Sequence, residues 1–372
     1  MHTIAEWNTR VGPFGRKADF EIEFRPPLTT AWKTELPRPY KFGDGTRVGS
    51  GDRIFVTVRG DGVSCYDADS GELVNSFERC RIEEQPNILF AFERAWIPAE
   101  IQDVSDELPC RRFTSVIDRD GSSIRRIRFD HVGACGVVGP AGSQRFFSPS
   151  GTFTADDPLN FSPFPEKFVG SFSSGTSVLG RLPTVGERRL ACWDVEARSF
   201  AWIGRDVLRT PVSRPVFSSK RTIGVLDPEG AGRELRLYRG DDGSLLESVP
   251  FQSSGHPSFL VSERLSRAFA VEGDALVCRD TNTGATLWSF RFESSPSPRH
   301  LIGTGDLLWF AMSWAKGRGV DRGYLLCFDK LSGEVVWAKE LAAALWSSEM
   351  SLIGGGLQLM VGRKMCCFRP AS

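Results

Sequence analysis

The sequence predicts an all-β protein, a seven-bladed β-propeller with eight blades as the alternative, closed by an N-terminal strand in the C-terminal blade. Three observations predict this fold. An eleven-residue frame recurs along the chain, a strand–turn–strand pattern precedes several of its copies, and the two chain ends carry complementary parts of one unit. Self-similarity every ~40 to 50 residues is the period expected of propeller blades.

The frame reads Cys-x-Asp-x-x-x-Gly-x-x-x-Trp at residues 327–337 and again at 278–288. A copy at 192–202 has Arg198 in place of the glycine, and 65–71 repeats the first half. Alternation before the Asp suits a strand, Asp caps a turn, Gly tolerates positive φ, and the run to Trp forms the next strand. The predicted structural positions are Trp32, Asp67, Gly71, Asp194, Trp202, Asp280, Gly284, Trp288, Asp329, Gly333 and Trp337.

A second pattern precedes the frame at residues 48–52, 302–306 and 353–356, where paired glycines lie between two apolar runs. It predicts strand, tight turn, strand, and with the following hairpin it completes four antiparallel strands per unit. These Gly-x-Gly pairs lack the third glycine and the following helix of a dinucleotide-binding loop. We therefore interpret them as turns.

Taken together, the spacing resembles the tryptophan-docking repeat of the quinoprotein-like (PQQ-like) β-propeller family, with Cys in the small first position. The resemblance covers most of the chain after Leu28 and is weak between about residues 86 and 190. It implies the propeller fold. The family includes calcium- and quinone-dependent dehydrogenases as well as non-enzymatic scaffolds, such as the outer-membrane assembly lipoprotein of bacteria.

The chain ends predict how the propeller closes. Residues 29–36 resemble 333–341 but follow no strands of their own unit, whereas the last unit stops near Arg369 after a third strand. We therefore expect Trp32 to complete the C-terminal blade and remove both open sheet edges. The positions equivalent to Trp predict seven outer strands, at Trp32, Asn75, Arg125, Trp202, Glu247, Trp288 and Trp337.

The interval from Arg125 to Trp202, 77 positions, is nearly two repeats. It predicts a Phe/Pro-rich insertion or a degenerate eighth blade near 131–167. The domain prediction is an N-terminal arm at 1–27 and a single propeller domain at 28–372.

Composition limits the classes of function. The chain has 372 residues, 41% hydrophobic and 25% charged, and Lys plus Arg equals Asp plus Glu at 46 each. This balance argues against a nucleic-acid partner. Met1 to Arg25 contains no apolar run of signal-peptide length, so we expect no membrane association and a cytoplasmic location.

The cysteines fit structural roles. Five of the nine, Cys65, Cys192, Cys278, Cys327 and Cys367, occupy equivalent frame positions, which are too far apart in successive blades for disulfides. We expect them to be free and buried, and Cys366–Cys367 to fill space on opposite strand faces. The four histidines show no metal-binding spacing. No catalytic residue, cofactor or metal ligand is predicted.

Two stretches are candidates for partner binding. The Phe/Pro-rich stretch contains Phe146, Phe147, Phe153, Phe161 and Phe164, which either plug a blade interface or form an aromatic contact loop. The loop at 314–323 places Trp314 beside Arg318 and Arg322, with an ordinary solvated turn as the alternative.

The leading hypothesis is a non-enzymatic scaffold that binds another protein through one mouth of the propeller. The alternative is an enzyme dependent on a cofactor or small ligand, a quinoprotein-like oxidoreductase using the axial funnel. Convergent Asp, Arg or His side chains with perturbed pKa would favour chemistry, and a flat aromatic surface would favour a partner.

Overall fold

The structure is a computed structural model of the chain. It describes residues 6–8, 19–20, 22–36, 45–50, 52–58, 62–77, 89–91, 94–101, 111–128, 136–138, 145–148, 150–154, 161–165, 168–174, 177–184, 187–208, 214–218, 222–227, 233–251, 259–262, 264–293, 296–315, 321–343, 345–361 and 364–371. All regular structure within these ranges is β-strand, which confirms the predicted all-β class.

The described strands form eight antiparallel sheets, and the chain divides into two compact units. Unit 1 comprises Met1–Arg10, Phe20–Gly133 and Pro296–Ser372, and unit 2 comprises Val11–Asp19 and Ala134–Ser295. Each unit contains four of the sheets. Below, every sheet is given in the order of its neighbouring strands.

Unit 1 contains sheets 1, 2, 7 and 8. Sheet 1 is β1 (Glu6–Asn8), β4 (Gly45–Ser50), β5 (Arg53–Val58), β6 (Gly62–Asp67) and β7 (Leu73–Phe77). Sheet 2 is β8 (Leu89–Ala91), β9 (Arg94–Ile101), β10 (Arg111–Asp118) and β11 (Ile124–Arg128). Sheet 7 is β2 (Asp19–Phe20), β28 (Ser297–Thr304), β29 (Leu307–Ala315), β30 (Asp321–Asp329) and β31 (Val335–Leu341). Sheet 8 is β32 (Leu345–Ile353), β33 (Gly356–Val361), β34 (Lys364–Pro370) and β3 (Leu28–Glu35).

Unit 2 contains sheets 3 to 6. Sheet 3 is β12 (Gly136–Val138), β13 (Arg145–Ser148), β14 (Gly151–Phe153) and β15 (Ser162–Pro163). Sheet 4 is β16 (Val169–Ser174), β17 (Ser177–Thr184), β18 (Glu187–Asp194) and β19 (Ser199–Val207). Sheet 5 is β20 (Arg214–Ser218), β21 (Thr222–Asp227), β22 (Arg233–Arg239) and β23 (Leu245–Phe251). Sheet 6 is β24 (Phe259–Ser262), β25 (Arg267–Glu272), β26 (Ala275–Asp280) and β27 (Thr286–Arg291).

The sheets form a β-propeller with the predicted seven blades, which end in the seven predicted outer strands, β3, β7, β11, β19, β23, β27 and β31. Sheet 3 lies inside the Phe/Pro-rich stretch, where the alternative count placed a degenerate eighth blade. Its strands have only two to four residues.

Burial explains the strand pattern within a sheet. The middle strand β33 is buried at every position, and its apolar residues belong to one hydrophobic cluster with residues of sheets 1 and 7. The outer strand β31 alternates between exposed and half-buried positions before ending on the buried Leu341. Apolar runs therefore form the middle strands, and mixed sequences form the outer ones.

The turn that precedes the outer strand of a sheet is built as predicted. In the frame at 327–337, Asp329 Oδ1 accepts hydrogen bonds from the backbone N–H groups of Leu331 (2.9 Å) and Ser332 (2.8 Å). The N–H of Gly333 donates to the carbonyl of Asp329, and Gly333 has a φ of 76°. The same carboxylate cap occurs at Asp67, Asp194 and Asp280.

The glycine of this turn receives a side chain from the preceding sheet. A Cβ on Gly71 would lie 2.5 Å from the Trp32 ring, and a Cβ on Gly243 would lie 2.5 Å from the Trp202 ring. Trp202 Nε1 also donates to the carbonyl of Gly240 (3.1 Å). At these two positions, Trp therefore lies between neighbouring sheets.

The N-terminal strand closes sheet 8 as predicted. Strand β3 pairs with β34, with Trp32 opposite Cys367. Trp32 Nε1 donates to the carbonyl of Ala68 in sheet 1 (3.0 Å), and Thr34 Oγ1 donates to the carbonyl of Gly71. Two side chains of the outer strand of sheet 8 therefore hydrogen-bond to the same turn of sheet 1.

Arg369 stands where the other frames have the capping Asp. Sheet 8 needs no cap there, because its fourth strand comes from the other end of the chain. Arg369 Nη2 instead bridges between sheets, donating to the carbonyls of Ala68 (3.1 Å) and Gly354 (3.2 Å) and pairing with Asp69. Arg369 is therefore, after Trp32 and Thr34, the third side chain of sheet 8 that hydrogen-bonds to sheet 1.

The six described cysteines are free and buried, as predicted. Burial raises the pKa of the Cys327 and Cys65 thiols to about 12. Cys366 and Cys367 are successive residues of β34 and face opposite sides of the sheet. Cys80, Cys110 and Cys135 lie outside the described residues.

Part of the predicted N-terminal arm is integrated into unit 1. Strand β1 adds to the edge of β4, and the carbonyl of Phe20 accepts a hydrogen bond from the N–H of Gly305 (2.8 Å). Phe24 is buried edge-on against Trp309, with ring centroids 5.4 Å apart. Thr304 Oγ1 donates to the Phe24 carbonyl (3.2 Å), and it accepts a hydrogen bond from Trp309 Nε1 (2.8 Å).

Candidate interaction surface

The phenylalanines predicted to contact a partner are largely internal. Phe146 and Phe153 lie opposite each other in β13 and β14, stacked with centroids 5.2 Å apart and 1% and 3% exposed. Phe164 is 7% exposed. The burial of these three rings favours the plugging alternative: Phe146 and Phe153 stack within sheet 3, and Phe164 belongs to a buried cluster with Val178 and Ala191 of sheet 4. Partner binding by this stretch stays a prediction. The Phe147 side chain lies outside the described residues.

Two further rings of this stretch pack on glycines. A Cβ on Gly151 would lie 2.5 Å from the Phe161 ring, and a Cβ on Gly180 would lie 2.7 Å from the Phe168 ring. Phe161 is half-buried, and Phe168 makes an edge contact with Phe200 at 5.6 Å. An aromatic ring on a bare glycine is the arrangement that Trp32 and Trp202 make elsewhere. Here the rings lie against glycines of β14 and β17.

The second predicted site is the loop at 314–323. Trp314 pairs through its backbone with Arg322, its side chain lies outside the described residues, and so does all of Arg318. Arg322 is exposed and its Nη1 pairs with Glu340 Oε1 at 2.8 Å. Exposed ion pairs of this kind contribute about 0–1 kcal/mol. The partner role of this loop stays a prediction.

A surface that the sequence did not single out lies at one end of the sheets. In sheets 1, 6 and 7, the residue after the capping Asp donates its N–H to the β4–β5, β24–β25 and β28–β29 turns, respectively: Ala68 to Asp52 (3.0 Å), Thr281 to Ser266 (2.9 Å), Lys330 to Asp306 (2.8 Å). Both turns of a sheet are thus side by side. We call this the turn end of a sheet.

Exposed aliphatic side chains collect at the turn ends. Within the described ranges ten large hydrophobic residues are exposed, and eight follow the turn glycine by two or three positions. This shared position excludes a random scatter of surface residues. The eight are Leu73, Val74, Ile124, Leu245, Leu246, Leu287, Val335 and Val336, and Leu331 lies within a turn.

A β-bulge explains the exposure of four of these residues. Trp337 pairs with Cys327 and Val335 pairs with Phe328, so Val336 between them is left without a partner. The same register shift omits Val74, Leu246 and Leu287, and also Ala31 and Ala201. A bulge turns the strand and re-aims the next side chain, here the docking residue, toward the neighbouring sheet. The bulged residue is left facing solvent.

The turn ends of unit 1 carry an excess of negative charge. Four arginines there are already paired, as Arg53–Asp67 at 2.8 Å, Arg94–Asp118 at 3.1 Å, Arg119–Asp52 at 3.3 Å and Arg369–Asp69. Lys330 is fully buried and donates to the carbonyl of Gly305 (2.6 Å). Among the side chains that the structure describes at these turns, nine carboxylates stand against five cations; the carboxylates are Asp52, Asp67, Asp69, Glu72, Asp118, Asp120, Asp306, Asp329 and Glu334.

Hydrogen bonds keep two of these carboxylates ionised. The backbone N–H of Ser70 is the main reason that the pKa of Asp67 lies below its ordinary value. The hydroxyl and N–H of Ser122 lower the pKa of Asp120 in the same way. Both shifts come from turn capping. Among the described residues, no group of three or more His, Cys, Asp or Glu could hold a metal ion.

Searches of known proteins give likeness in fold only. No protein-family model and no curated protein matches the chain. The similar solved structures include the computationally designed Ika8 protein, at 10% identity and TM-score 0.43 over 92% of this chain and 99% of that one. They also include BamB from Moraxella catarrhalis, at 11% identity and TM-score 0.42 over 92% of this chain and 100% of that one. The propeller assignment rests on the strand order of this chain itself. Membership of the PQQ-like family stays a prediction.

The described part of the chain contains no helix with the length and apolar character needed to span a membrane.

Proposed function

We propose that this protein is a non-enzymatic scaffold that binds another protein at the turn ends of its sheets. The observation that carries the proposal is the row of exposed aliphatic residues that follow the turn glycine in sheets 1, 2, 5, 6 and 7. Leu73 is 54% exposed and Val336 is 47% exposed. Covering such a half-exposed side chain with a partner contributes about 1 kcal/mol.

The scaffold holds these residues rigidly. Val336 directly precedes Trp337, whose ring makes an edge contact with the buried Trp309 at 6.0 Å. Asp329 and Gly333 fix the turn immediately before it. A partner therefore meets side chains whose backbone is already ordered, and the entropy cost of binding is smaller than for a flexible loop.

Outer strands add a second means of attachment. Strands β7, β11, β23, β27 and β31 each lie at the end of a sheet, so one edge of the backbone faces away from the ladder. An extended segment of a partner pairs readily with such an edge. The exposed aliphatic residues lie at the start of the same strands, so backbone and side-chain contacts can be made by one partner segment.

The alternative enzyme function depends on residues near the first strand of each sheet. Most side chains of β4, β8, β20 and β28 lie outside the described residues. In the part of the chain that the structure describes, the shifted pKa values belong to turn carboxylates, frame cysteines and Tyr66, which are spread over several sheets. No specific observation there favours a reaction.

Affinity capture from cells tests the proposal. The intact protein is compared with a variant in which Leu73, Val74, Val335 and Val336 are changed to Ser, after circular dichroism shows that both are folded. We expect a protein partner that is retained by the intact chain and lost by the variant. Recovery of the same partners by both, or of none by the intact chain, contradicts the proposal.

A further inference from the structure

The outer strand of sheet 2, β11, is more basic than any other outer strand. Three of its five residues are arginine, Arg125, Arg126 and Arg128, and it contains no carboxylate. The six other outer strands carry at most one lysine or arginine each; they are β3, β7, β19, β23, β27 and β31. The positive charge of β11 is therefore not a requirement of the outer position in a sheet.

The strand beside β11 does not offset this charge. Strand β10 places an uncharged residue directly opposite each arginine; the pairs are Arg125–Val116, Arg126–Ser115 and Arg128–Phe113. Opposite charges facing each other across a ladder would stabilise the pair of strands, and none occurs at these three positions. The arginines of β11 therefore have no carboxylate opposite them in the ladder.

The carboxylates of sheet 2 lie elsewhere. Its described ranges contain three of them. Glu100 lies opposite Arg112 in the ladder of β9 and β10, and Asp118 pairs with Arg94 at 3.1 Å. Asp120 lies in the turn before β11. The loop between β9 and β10, which carries three further carboxylates, lies outside the described residues.

The backbone of β11 offers an edge to a partner. The strand order places β11 at the end of sheet 2, with β10 on one side and no other described strand on the other. An extended segment adds to such an edge through main-chain hydrogen bonds. Because the register contains no bulge, Ile124, Arg126 and Arg128 share one face of the ladder, and Arg125 and Ile127 share the other. A strand added at this edge therefore lies beside arginine on both faces.

The arginines also restrict which strands can add to this edge. Charged residues on an edge strand prevent its pairing with other chains of like charge. The other outer strands lack such a run of cations, so general protection of sheet edges does not explain β11. Like charges opposite each other in a ladder are destabilising and opposite charges are stabilising, so the same residues exclude a basic segment and favour an acidic one.

We propose that the edge of β11 that faces away from β10 binds an extended acidic segment of a partner protein, in which aspartate or glutamate alternates with aliphatic residues. This inference rests on the proposed scaffold function and names the chemistry of one partner segment. The main chain of β11 supplies the pairing, and Arg126 and Arg128 select for carboxylates at alternate positions of the segment. Ile127, on the other face, suits an aliphatic residue.

Labelled peptides test this inference by fluorescence anisotropy with the intact chain. The probe is an extended peptide of alternating glutamate and valine. A lysine–valine peptide tests the charge, and a glutamate–proline peptide tests the pairing, because proline cannot donate main-chain hydrogen bonds. We expect the glutamate–valine peptide to bind most tightly and to weaken as salt is raised. Equal binding of either comparison peptide overturns the inference.

A second protein variant removes competition from the chain's own acidic loop. Asp103→Asn, Asp106→Asn and Glu107→Gln together neutralise the loop between β9 and β10 and leave β11 unchanged. We expect this variant to bind the glutamate–valine peptide at least as tightly as the intact chain. Binding by neither protein overturns the inference.

Two further readouts separate strand pairing from simple attraction between charges. Saturation with the glutamate–valine peptide should slow hydrogen exchange of the Ile124–Arg128 amides, and unchanged exchange overturns the pairing. A single-stranded oligonucleotide provides phosphates without a peptide backbone. Tighter binding of that oligonucleotide than of the peptide, with loss in the arginine variant below, overturns the inference in favour of a nucleic-acid contact.

Matched variants place the site. Arg126→Gln with Arg128→Gln removes two charges from β11 and is expected to weaken binding of the glutamate–valine peptide by about fivefold. Arg205→Gln with Arg291→Gln removes the same charge from β19 and β27, and it should leave binding within about twofold because these strands belong to other sheets. An equal loss from the two double variants overturns the placement.

The two proposals fail differently. If cellular capture depends on the aliphatic residues of the turn ends but the glutamate–valine peptide does not bind, the scaffold function stands and the acidic segment is wrong. If the peptide binds as expected while capture is unaffected by the serine variant, the scaffold proposal is wrong at those residues and the β11 site stands.

Discussion

Replacing Trp32 with Ala tests how the two ends of the chain hold sheet 8 to sheet 1. Trp32 is 8% exposed, its ring covers Gly71, and its Nε1 donates to the carbonyl of Ala68 at 3.0 Å. Burial of an indole removes about 200–250 Å² from water, or roughly 5 kcal/mol at about 25 cal/mol per Å². Truncations of buried Trp typically cost about 3–5 kcal/mol. We expect Trp32→Ala to lower the free energy of unfolding by that amount.

The assay is urea denaturation followed by far-UV circular dichroism, since removal of a Trp alters fluorescence directly. Trp202→Ala is the matched control, because Trp202 makes the same contact with Gly243 and the carbonyl of Gly240 where the chain is continuous. Trp202 is less buried than Trp32, so its truncation should cost less. Trp32→Phe should lose about 1 kcal/mol for the hydrogen bond. A cost below about 1 kcal/mol for Trp32→Ala would refute this account of the closure.

Three further predictions follow from the turns and the core. Arg198 occupies the turn-glycine position with a φ of 49°, so Arg198→Gly should raise the free energy of unfolding by about 1 kcal/mol in urea denaturation, and a loss of stability would contradict it. The lowered pKa of Asp67, due first to the N–H of Ser70, contributes stability that is present above the ordinary pKa and lost as pH falls through the lowered one. Thermal melting should therefore be level near neutral pH and decline below about pH 4, with a smaller decline in Asp67→Asn. With their pKa raised to about 12 by burial, Cys327 and Cys65 should resist iodoacetamide in the native protein and react after unfolding, and rapid native labelling would contradict their burial.

The repeated frame predicted the propeller, the turns and the closure because each depends on local rules. A carboxylate cap and a glycine with positive φ need only five consecutive residues, as at Asp329–Gly333. The unpaired third strand at Arg369 implied that its partner comes from elsewhere in the chain. These features could be inferred from the spacing of the frame and from the strands that each chain end lacks.

Sheet 3 and the candidate surface depend on contacts that the frame does not encode. The phenylalanines at Phe146 and Phe153 lie inside sheet 3, and a Phe/Pro composition alone does not distinguish a plug from a contact loop. The aliphatic residues Val74 and Val336 were visible as part of the frame, but only the register shift before the docking residue shows that they are unpaired and exposed. In the sequence, the spacing of four residues from Gly to Trp was the signal that could have indicated this bulge.

Two substitutions at docking positions illustrate the same limit. Asn75 replaces Trp in sheet 1 and still reaches the carbonyl of Gly121 with its amide. Glu247 replaces Trp in sheet 5 and its carboxylate lies against Gly284. The position is kept while the chemistry varies, because any side chain that covers the turn glycine holds neighbouring sheets together.

Hydrogen exchange of the backbone amides in β3 tests most directly the claim that copies of one frame are closed by a strand from the opposite chain end. The account predicts that Leu28–Glu35 exchange as slowly as Val335–Leu341 of β31, which is an outer strand formed within the continuous chain. It also predicts that both segments lose protection in the same unfolding step. Exchange of Leu28–Glu35 at the rate of an unstructured peptide, with β31 still protected, would contradict it.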